Sequence, residues 1–169
     1  MHSLETERLR LRPFREEDVA AYARICADPE TMRGIGNGST LDFDAAWRQV
    51  ALFLGHWTLR GYGIWAVEEK ASGAFVGRIG FYNPHGWAGL ELGWLIDRAR
   101  WGRGLATEGA RAALAYGRET FGFGRVISLI RPDNTASIRV AEKLGAAQEG
   151  EVVVMGSAAR VYVLPEPVG

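Results

Sequence analysis

The sequence predicts a single α+β domain spanning residues 1–169, and three observations lead to it. Strand-like and helix-like segments interleave along the whole chain, separated by Gly, Pro and Asn turns. One strand–helix–strand stretch, Leu90 to Arg131, must be a crossover joining parallel strands, whereas other strands meet through short hairpin turns. No internal repeat or low-complexity linker interrupts the chain, and 169 residues suffice to close one hydrophobic core.

The elements follow in order. Leu9 to Leu11 alternates with arginines and forms a short first strand, stopped by Pro13. Glu16, Glu17 and Asp18 suit a first helical turn, and Val19, Tyr22, Ile25 and Cys26 recur at helical spacing up to Asp28-Pro29. Gly34, Gly36, Gly38 and Ser39 mark a loop. A second helix runs from about Asp44 to Leu59, with Trp47, Val50, Leu54 and Trp57 on one face, the spacing of core residues. Ile64 to Glu68 and Phe75 to Phe81 form a hairpin around Lys70-Ala71-Ser72-Gly73, and Asn83-Pro84-His85-Gly86 makes another turn. In the strand Leu90 to Ile96, Leu90, Leu92, Trp94 and Ile96 share one face, and Glu91, Gly93 and Leu95 the other. A helix follows from Leu105 to Phe121, then a strand from Val126 to Arg131. A helix from Asn134 to Leu144 ends at Gly145, and Val152 to Met155 with Val161 to Leu164 close the chain as a hairpin.

Composition excludes several classes of function. Apolar residues make up 47% and charged residues 24%, an ordinary soluble globular balance. Twenty basic and twenty acidic side chains cancel, which disfavours a nucleic-acid partner. Arg8, Arg10, Arg12 and Arg15 alternate along the first strand and read as a solvated face. Cys26 is the only cysteine, and His2, His56 and His85 are scattered, so neither a disulfide nor a metal site is expected. Met1 to Phe14 carries charges throughout, and no run of about 18 apolar residues occurs anywhere. A cytoplasmic protein without a membrane partner is therefore expected.

The chemistry concentrates between residues 90 and 109. There an apolar strand enters a loop with Gly102 and Gly104, and a helix rich in small residues follows at once. Unpaired N–H groups at a helix start, with the positive end of its dipole, favour a phosphate. A P-loop fails because no lysine follows either glycine at the required place, and a dinucleotide fingerprint fails because Thr107 stands where its third glycine belongs. A plain small-residue turn remains open. Gly109 and Gly117 lie on one stripe of the helix, which implies close packing on the sheet, or for Gly109 close approach of a ligand. Glu91 sits mid-strand on the face opposite Leu90 and Leu92. A carboxylate there either lines a wet cleft, where it can act as a general base, or pairs with an arginine.

Three motifs carry a family resemblance. Trp101-Gly102-Arg103-Gly104-Leu105-Ala106 is similar to the [Gln/Arg]-x-x-Gly-x-[Gly/Ala] acetyl-CoA loop of the GNAT acetyltransferase superfamily. Extended through Thr107 and Glu108, it resembles the branch related to ribosomal-protein alanine acetyltransferases (RimJ/RimL-like). Leu4 to Pro13 resembles that branch's opening strand, and Asn134 to Gly145 its second coenzyme motif.

The resemblance implies a GNAT-like mixed, largely antiparallel sheet with a parallel, splayed central strand pair flanked by helices. It implies acetyl-CoA as co-substrate, no metal, and a primary amine as acceptor, either a small molecule or a peptide N-terminus, attacking the thioester directly in a ternary complex. The pantetheine arm would lie between the strands 90–96 and 126–131, with Gly93 a reasonable bulge opening the ladder. Backbone groups of Trp94, Leu95 and Ile96 would bond the arm and polarise the thioester carbonyl. Trp101, Gly102, Arg103, Gly104, Leu105, Ala106 and Thr107 would hold the pyrophosphate, Arg103 either adding charge or remaining a solvated arginine. Asn134 would contact the coenzyme, although helix capping explains an asparagine equally well. Many relatives place a tyrosine acid where Ala141 stands here; in the RimJ/RimL-like branch the serine matching Ser137 takes that part, the alternative being a helix-surface serine. The first two helices, the Met32–Leu41 loop and the terminal hairpin would frame the acceptor, with Trp65, Trp87, His56, His85 and Tyr82 as contacts. A monomer or homodimer is expected. The alternative function is a noncatalytic CoA-binding regulatory module.

Overall fold

The computed structural model describes residues 2–166. Its strands are β1 (Leu4–Glu5), β2 (Leu9–Arg12), β3 (Ile64–Glu69), β4 (Ala74–Tyr82), β5 (Glu91–Ile96), β6 (Ile127–Ile130), β7 (Ala147–Val154) and β8 (Ser157–Val163). The helices are α1 (Asp18–Cys26), α2 (Pro29–Met32), α3 (Phe43–Arg60), α4 (Leu105–Phe121) and α5 (Thr135–Lys143). All strands join one mixed sheet in the order β1-β2-β3-β4-β5-β6-β8-β7. Every pairing is antiparallel except β5 with β6, the pair spanned by α4. The α+β, mixed and largely antiparallel architecture expected from the sequence is the one observed.

Strand alternation divides the core between the two faces of the sheet. Leu92, Trp94 and Ile96 join Leu9, Trp65, Ile79 and Phe81 beneath α4. On the other face Leu95, Ile64 and Ala66 meet Val19, Tyr22, Val50 and Phe53 of α1 and α3. The stripe on α4 explains its glycines. A Cβ at Gly109 would stand 2.5 Å from Ile79 Cδ1, and one at Gly117 2.5 Å from Phe81 Cζ, so both serve helix–sheet packing and Gly109 faces no ligand.

Several expectations are corrected. Trp47 is 45% exposed, while Trp57 is buried and donates from Nε1 to Ile64 O at 2.9 Å. Arg12 is no solvated residue: it is 5% exposed, forks onto Asp18 at 2.7 and 2.8 Å, and reaches Glu68 at 3.0 Å. Gly93 makes no bulge; it stands in regular register opposite Gly80. β1 and α2 were unforeseen because two and four residues are too short to show a period. The terminal hairpin is longer than its apolar runs suggested, since the polar start of β7, Ala-Gln-Glu-Gly-Glu, is held by pairing with β8.

Candidate active site

The sheet opens at β5 and β6. Their only registered pair is Glu91 with Ile127, where Ile127 N–H donates to Leu90 O at 2.9 Å. Beyond it the strands separate, and the Ser128 hydroxyl replaces the ladder by donating to Leu92 O at 2.7 Å. Backbone groups alternate along a strand, so those of Trp94 and Ile96 follow Leu90 and Leu92 toward the gap. Ile96 O is taken by Trp101 Nε1 at 2.8 Å, which leaves the Trp94 backbone and the Ile96 N–H facing the opening. Leu95 pairs instead with Arg78 on β4. The splay therefore arises from divergence stabilised by a serine, without a glycine bulge.

At the wide end of the gap lies the glycine loop. Gly102 and Gly104 have φ of +75° and +77°, a conformation that disfavours side chains, and Gly104 caps α4 with no side chain of its own. The first N–H groups of α4 are thus open to a ligand. Glu108, the acidic residue of this first turn, is drawn away: it accepts from Thr6 Oγ1 at 2.5 Å and from Arg8 N–H and Nε at 2.9 and 2.7 Å. A cavity of about 450 Å³ adjoins the loop, lined by Trp94, Leu95, Ile96, Trp101, Gly102, Gly104, Leu105, Ala106, Thr107, Asn134 and Ser137. Arg33, Arg100, Arg139 and Lys143 against Glu30 and Asp133 give its rim a positive balance.

A second cavity of about 280 Å³ lies beyond, over the α1/α3 face of β4 and β5. It shares Gly34, Ile35, Trp94, Asn134 and Ser137 with the first. At this junction Trp94 Nε1 donates to Ser137 Oγ at 3.2 Å. Asn134 Oδ1 caps α5 through Ser137 N–H at 3.1 Å, and its Nδ2 donates to Gly34 O at 3.1 Å. Glu91 opens into the second cavity. Burial pushes its carboxyl up to about 6, against the Trp87 indole, the Arg78 charge and the Leu129 backbone N–H, which pull it down. Trp87 Nε1 donates to Glu91 Oε2 at 2.7 Å, and no described residue forms an ion pair with Glu91.

A family model described as an acetyltransferase (GNAT) domain matches residues 8–147. The chain belongs to the GNAT acetyltransferases. It is similar to the uncharacterized protein YkkB of Bacillus subtilis (strain 168), 35% identical over 150 residues covering 84% of this chain and 83% of YkkB. The crystal structure of an acetyltransferase from Agrobacterium tumefaciens str. C58 superposes with a TM-score of 0.87 at 29% identity, covering 98% of this chain and 95% of that one. RimJ of Mycobacterium smegmatis, solved in complex with CoA-disulfide, shares the fold with a TM-score of 0.77 at 20% identity, covering 92% of this chain and 81% of RimJ.

In this GNAT chain, the sequence-selected residues fall into three groups. Glu91 and Ser137 line the second cavity, and Ser137 also lines the larger one. The loop residues surround the larger cavity, where open helix N–H groups and a basic rim fit the phosphates of acetyl-CoA. Arg103 is the exception. Its guanidinium binds Glu69 Oε1 at 2.7 Å, and its carbonyl accepts from Arg8 Nη1 at 2.8 Å, so it pins the loop to β3 and to the residue preceding β2. Of the acceptor contacts, Tyr82 and Trp87 reach the cavity. Trp65 lies in the core under α4, and His56 is held between Tyr62 O at 2.9 Å and Asn83 N–H at 3.0 Å. Cys26 is buried, and burial pushes its thiol up. Sequence reasoning missed Arg78, Gln49 and Met155, which line the second cavity, and Arg139 and Lys143, which line the larger one. The i, i+4 spacing of the last two on α5 was the available signal. Among the described residues there is no helix long and apolar enough to cross a membrane and no cluster suited to a metal.

Proposed function

We propose that this GNAT acetyltransferase moves the acetyl group of acetyl-CoA to a primary amine by direct attack in a ternary complex, and that it belongs to the RimJ/RimL-like branch. One observation carries the reading. The two cavities meet at Trp94, Asn134 and Ser137, so donor and acceptor can enter from opposite sides and touch at the point where β5 and β6 part.

Acetyl-CoA supplies an acetyl thioester. The first turn of α4 and the loop from Trp101 to Thr107 hold its pyrophosphate, with Arg139 and Lys143 on the basic rim. The Trp94 backbone N–H, lacking a ladder partner, is the preorganised donor for the thioester oxygen. Glu91, ionised above about pH 6, takes a proton from the acceptor ammonium and passes it to solvent. The N–C bond forms as the C–S bond breaks. The acylated nitrogen then releases a second proton to solvent, while the departing sulfur takes one from Ser137, whose hydroxyl is restored by a proton from solvent. Because Ser137 Oγ accepts from Trp94, its own hydrogen is directed elsewhere and is available for that transfer.

The branch assignment rests on the Trp101–Glu108 and Asn134–Gly145 motifs, and the fold shared with RimJ supports the same architecture. Thiol release from acetyl-CoA against a panel of small amines and N-terminal peptides tests the function. Amine-dependent release with a mass gain of one acetyl group is expected. Acetyl-CoA binding without turnover on any amine identifies a noncatalytic coenzyme-binding module instead.

A further inference from the structure

The acceptor cavity contains a cation that forms no ion pair with the described residues, Glu91 acting on its charge only from beyond contact distance. Arg78 projects from β4 into the cavity that holds Glu91. Its Nε donates to the Tyr22 hydroxyl at 3.0 Å, and its guanidinium carbon lies 5.2 Å from the centre of the Phe53 ring. Tyr22 is itself oriented by donating to Gln49 Oε1. No described carboxylate lies within ion-pair distance of Arg78. A guanidinium stays charged at any working pH, and a partly buried charge without a partner is costly. The other buried arginine, Arg12, has two carboxylates. The terminal nitrogens of Arg78 are thus held by their Nε, on an aromatic support, for an acceptor the chain does not provide.

Register gives the second observation. On one face of the β4/β5 pair, Arg78 stands opposite Leu95, Gly80 opposite Gly93, and Tyr82 opposite Glu91. Arg78 and Glu91 therefore flank a two-glycine floor, about 13 Å apart along the strands at the Cα level from four residues of rise. Their side chains shorten that span, since Glu91 Oε1 leans back over Gly93, within 3.8 Å of where a Cβ would stand. An anion site and a proton-accepting carboxylate at two ends of one trough match a molecule with an amine and a carboxylate a few atoms apart. Ile35, Leu41, Leu52 and Met155 make an apolar part of the remaining wall, beside the polar Asn37, Ser39 and Gln49 and beside Arg131, which pairs with Asp133 at 3.4 Å.

We propose that Arg78 is the specificity anchor of the acceptor cavity, and that the acceptor is a primary amine bearing its own carboxylate: an amino acid with an apolar side chain. This deepens the N-acetyltransferase reading and rests on it. The carboxylate receives two parallel hydrogen bonds from the Arg78 fork, and the amine is directed toward Glu91 and the Trp94–Ser137 junction. A peptide N-terminus, whose carboxyl is an amide, leaves the fork unmatched.

The test compares L-leucine, L-leucinamide and isoamylamine as acceptors for the full chain, by kcat/KM and by calorimetric binding in the presence of CoA. L-Methionine and L-phenylalanine, with their decarboxylated counterparts, repeat the comparison. The wild type should prefer each amino acid over its counterpart without the carboxylate by about ten- to a hundredfold, the range expected of hydrogen bonds between charged groups. Arg78→Gln should bring that ratio to about one. Arg78→Lys, which keeps the charge and loses the fork, should retain part of it. A thermal melt of each variant shows whether it folds. Equal kcat/KM for L-leucine and isoamylamine, or a preference unaltered in a folded Arg78→Gln, overturns the anchor while leaving the acetyltransferase intact. Acetyl-CoA binding with neither turnover nor amino-acid binding overturns both.

Discussion

Trp94 on β5 and Ser137 on α5 are joined by a 3.2 Å hydrogen bond, donated by the indole, at the junction of the two cavities. The bond spans the site where the sheet has lost its ladder, and it holds together the backbone proposed as donor to the thioester oxygen and the hydroxyl proposed as donor to the sulfur. Ser137→Ala should lower kcat about tenfold or more, within the range of a general-acid contribution, while the acetyl-CoA Kd changes little. Trp94→Phe removes only the donor and keeps the hydroxyl, so its loss should be smaller. Stopped-flow thiol release on both variants checks the order; an equal loss in the two would make Ser137 a positioning residue alone.

Glu91 links activity and stability with opposite signs. Burial raises its carboxyl from the ordinary 4.5 to about 6, so the native state binds that proton more tightly than the unfolded chain does. The associated stability is complete below pH 4.5 and is lost as pH rises through 6. Above that, ionised Glu91 costs the fold about 2 kcal/mol. Glu91→Gln should therefore be more stable than wild type at pH 8, with the difference vanishing near pH 4. The same substitution should lower turnover and erase the acid limb of kcat/KM near pH 6. Trp87→Phe deletes a hydrogen bond that holds the value down, and should move that limb to higher pH. Paired melts and pH–rate profiles read both effects.

Asp18 gives the third prediction. It receives both arms of the Arg12 fork and the Arg15 backbone N–H at 2.8 Å, tying the start of α1 to β2. Asp18→Ala strands a buried guanidinium with Glu68 as its remaining partner, and should cost about 3 kcal/mol. A lower urea midpoint at unchanged slope is the expected result.

What the sequence made legible depended on whether each residue's role is local. The 3.6 period of α4, the Gly102 and Gly104 positions and the Asn134 cap are written in neighbouring residues and were readable. Glu91 was readable because a carboxylate inside an apolar strand contradicts its surroundings. Arg12 was misread because its partners are Asp18 and Glu68, and nothing in an alternating Leu-Arg strand distinguishes a solvated arginine from a doubly paired one. Arg78 escaped notice for the same reason: its significance is that no described carboxylate pairs with it, which is visible only once the sheet and α1/α3 are assembled. The splay was attributed to Gly93, whereas Ser128, on another strand, stabilises it through Leu92 O.

The two ends of α4 provide a controlled comparison for the phosphate loop. Gly104 before the helix and Gly122 after it both adopt left-handed conformations, with φ of +77° and +66°. A side chain at either position costs stability of about 1–2 kcal/mol, because a Cβ crowds the following carbonyl there. Of the two, only Gly104 borders the larger cavity, the one proposed for acetyl-CoA. Gly104→Val should raise the acetyl-CoA Kd about tenfold or more, since strain in the loop and a branched side chain both obstruct the open N–H groups of the first turn. Gly122→Ala should show a comparable loss of Tm with the Kd within about twofold of wild type. Equal weakening of acetyl-CoA binding by the two substitutions would trace the effect to helix stability and remove the glycine loop from phosphate recognition.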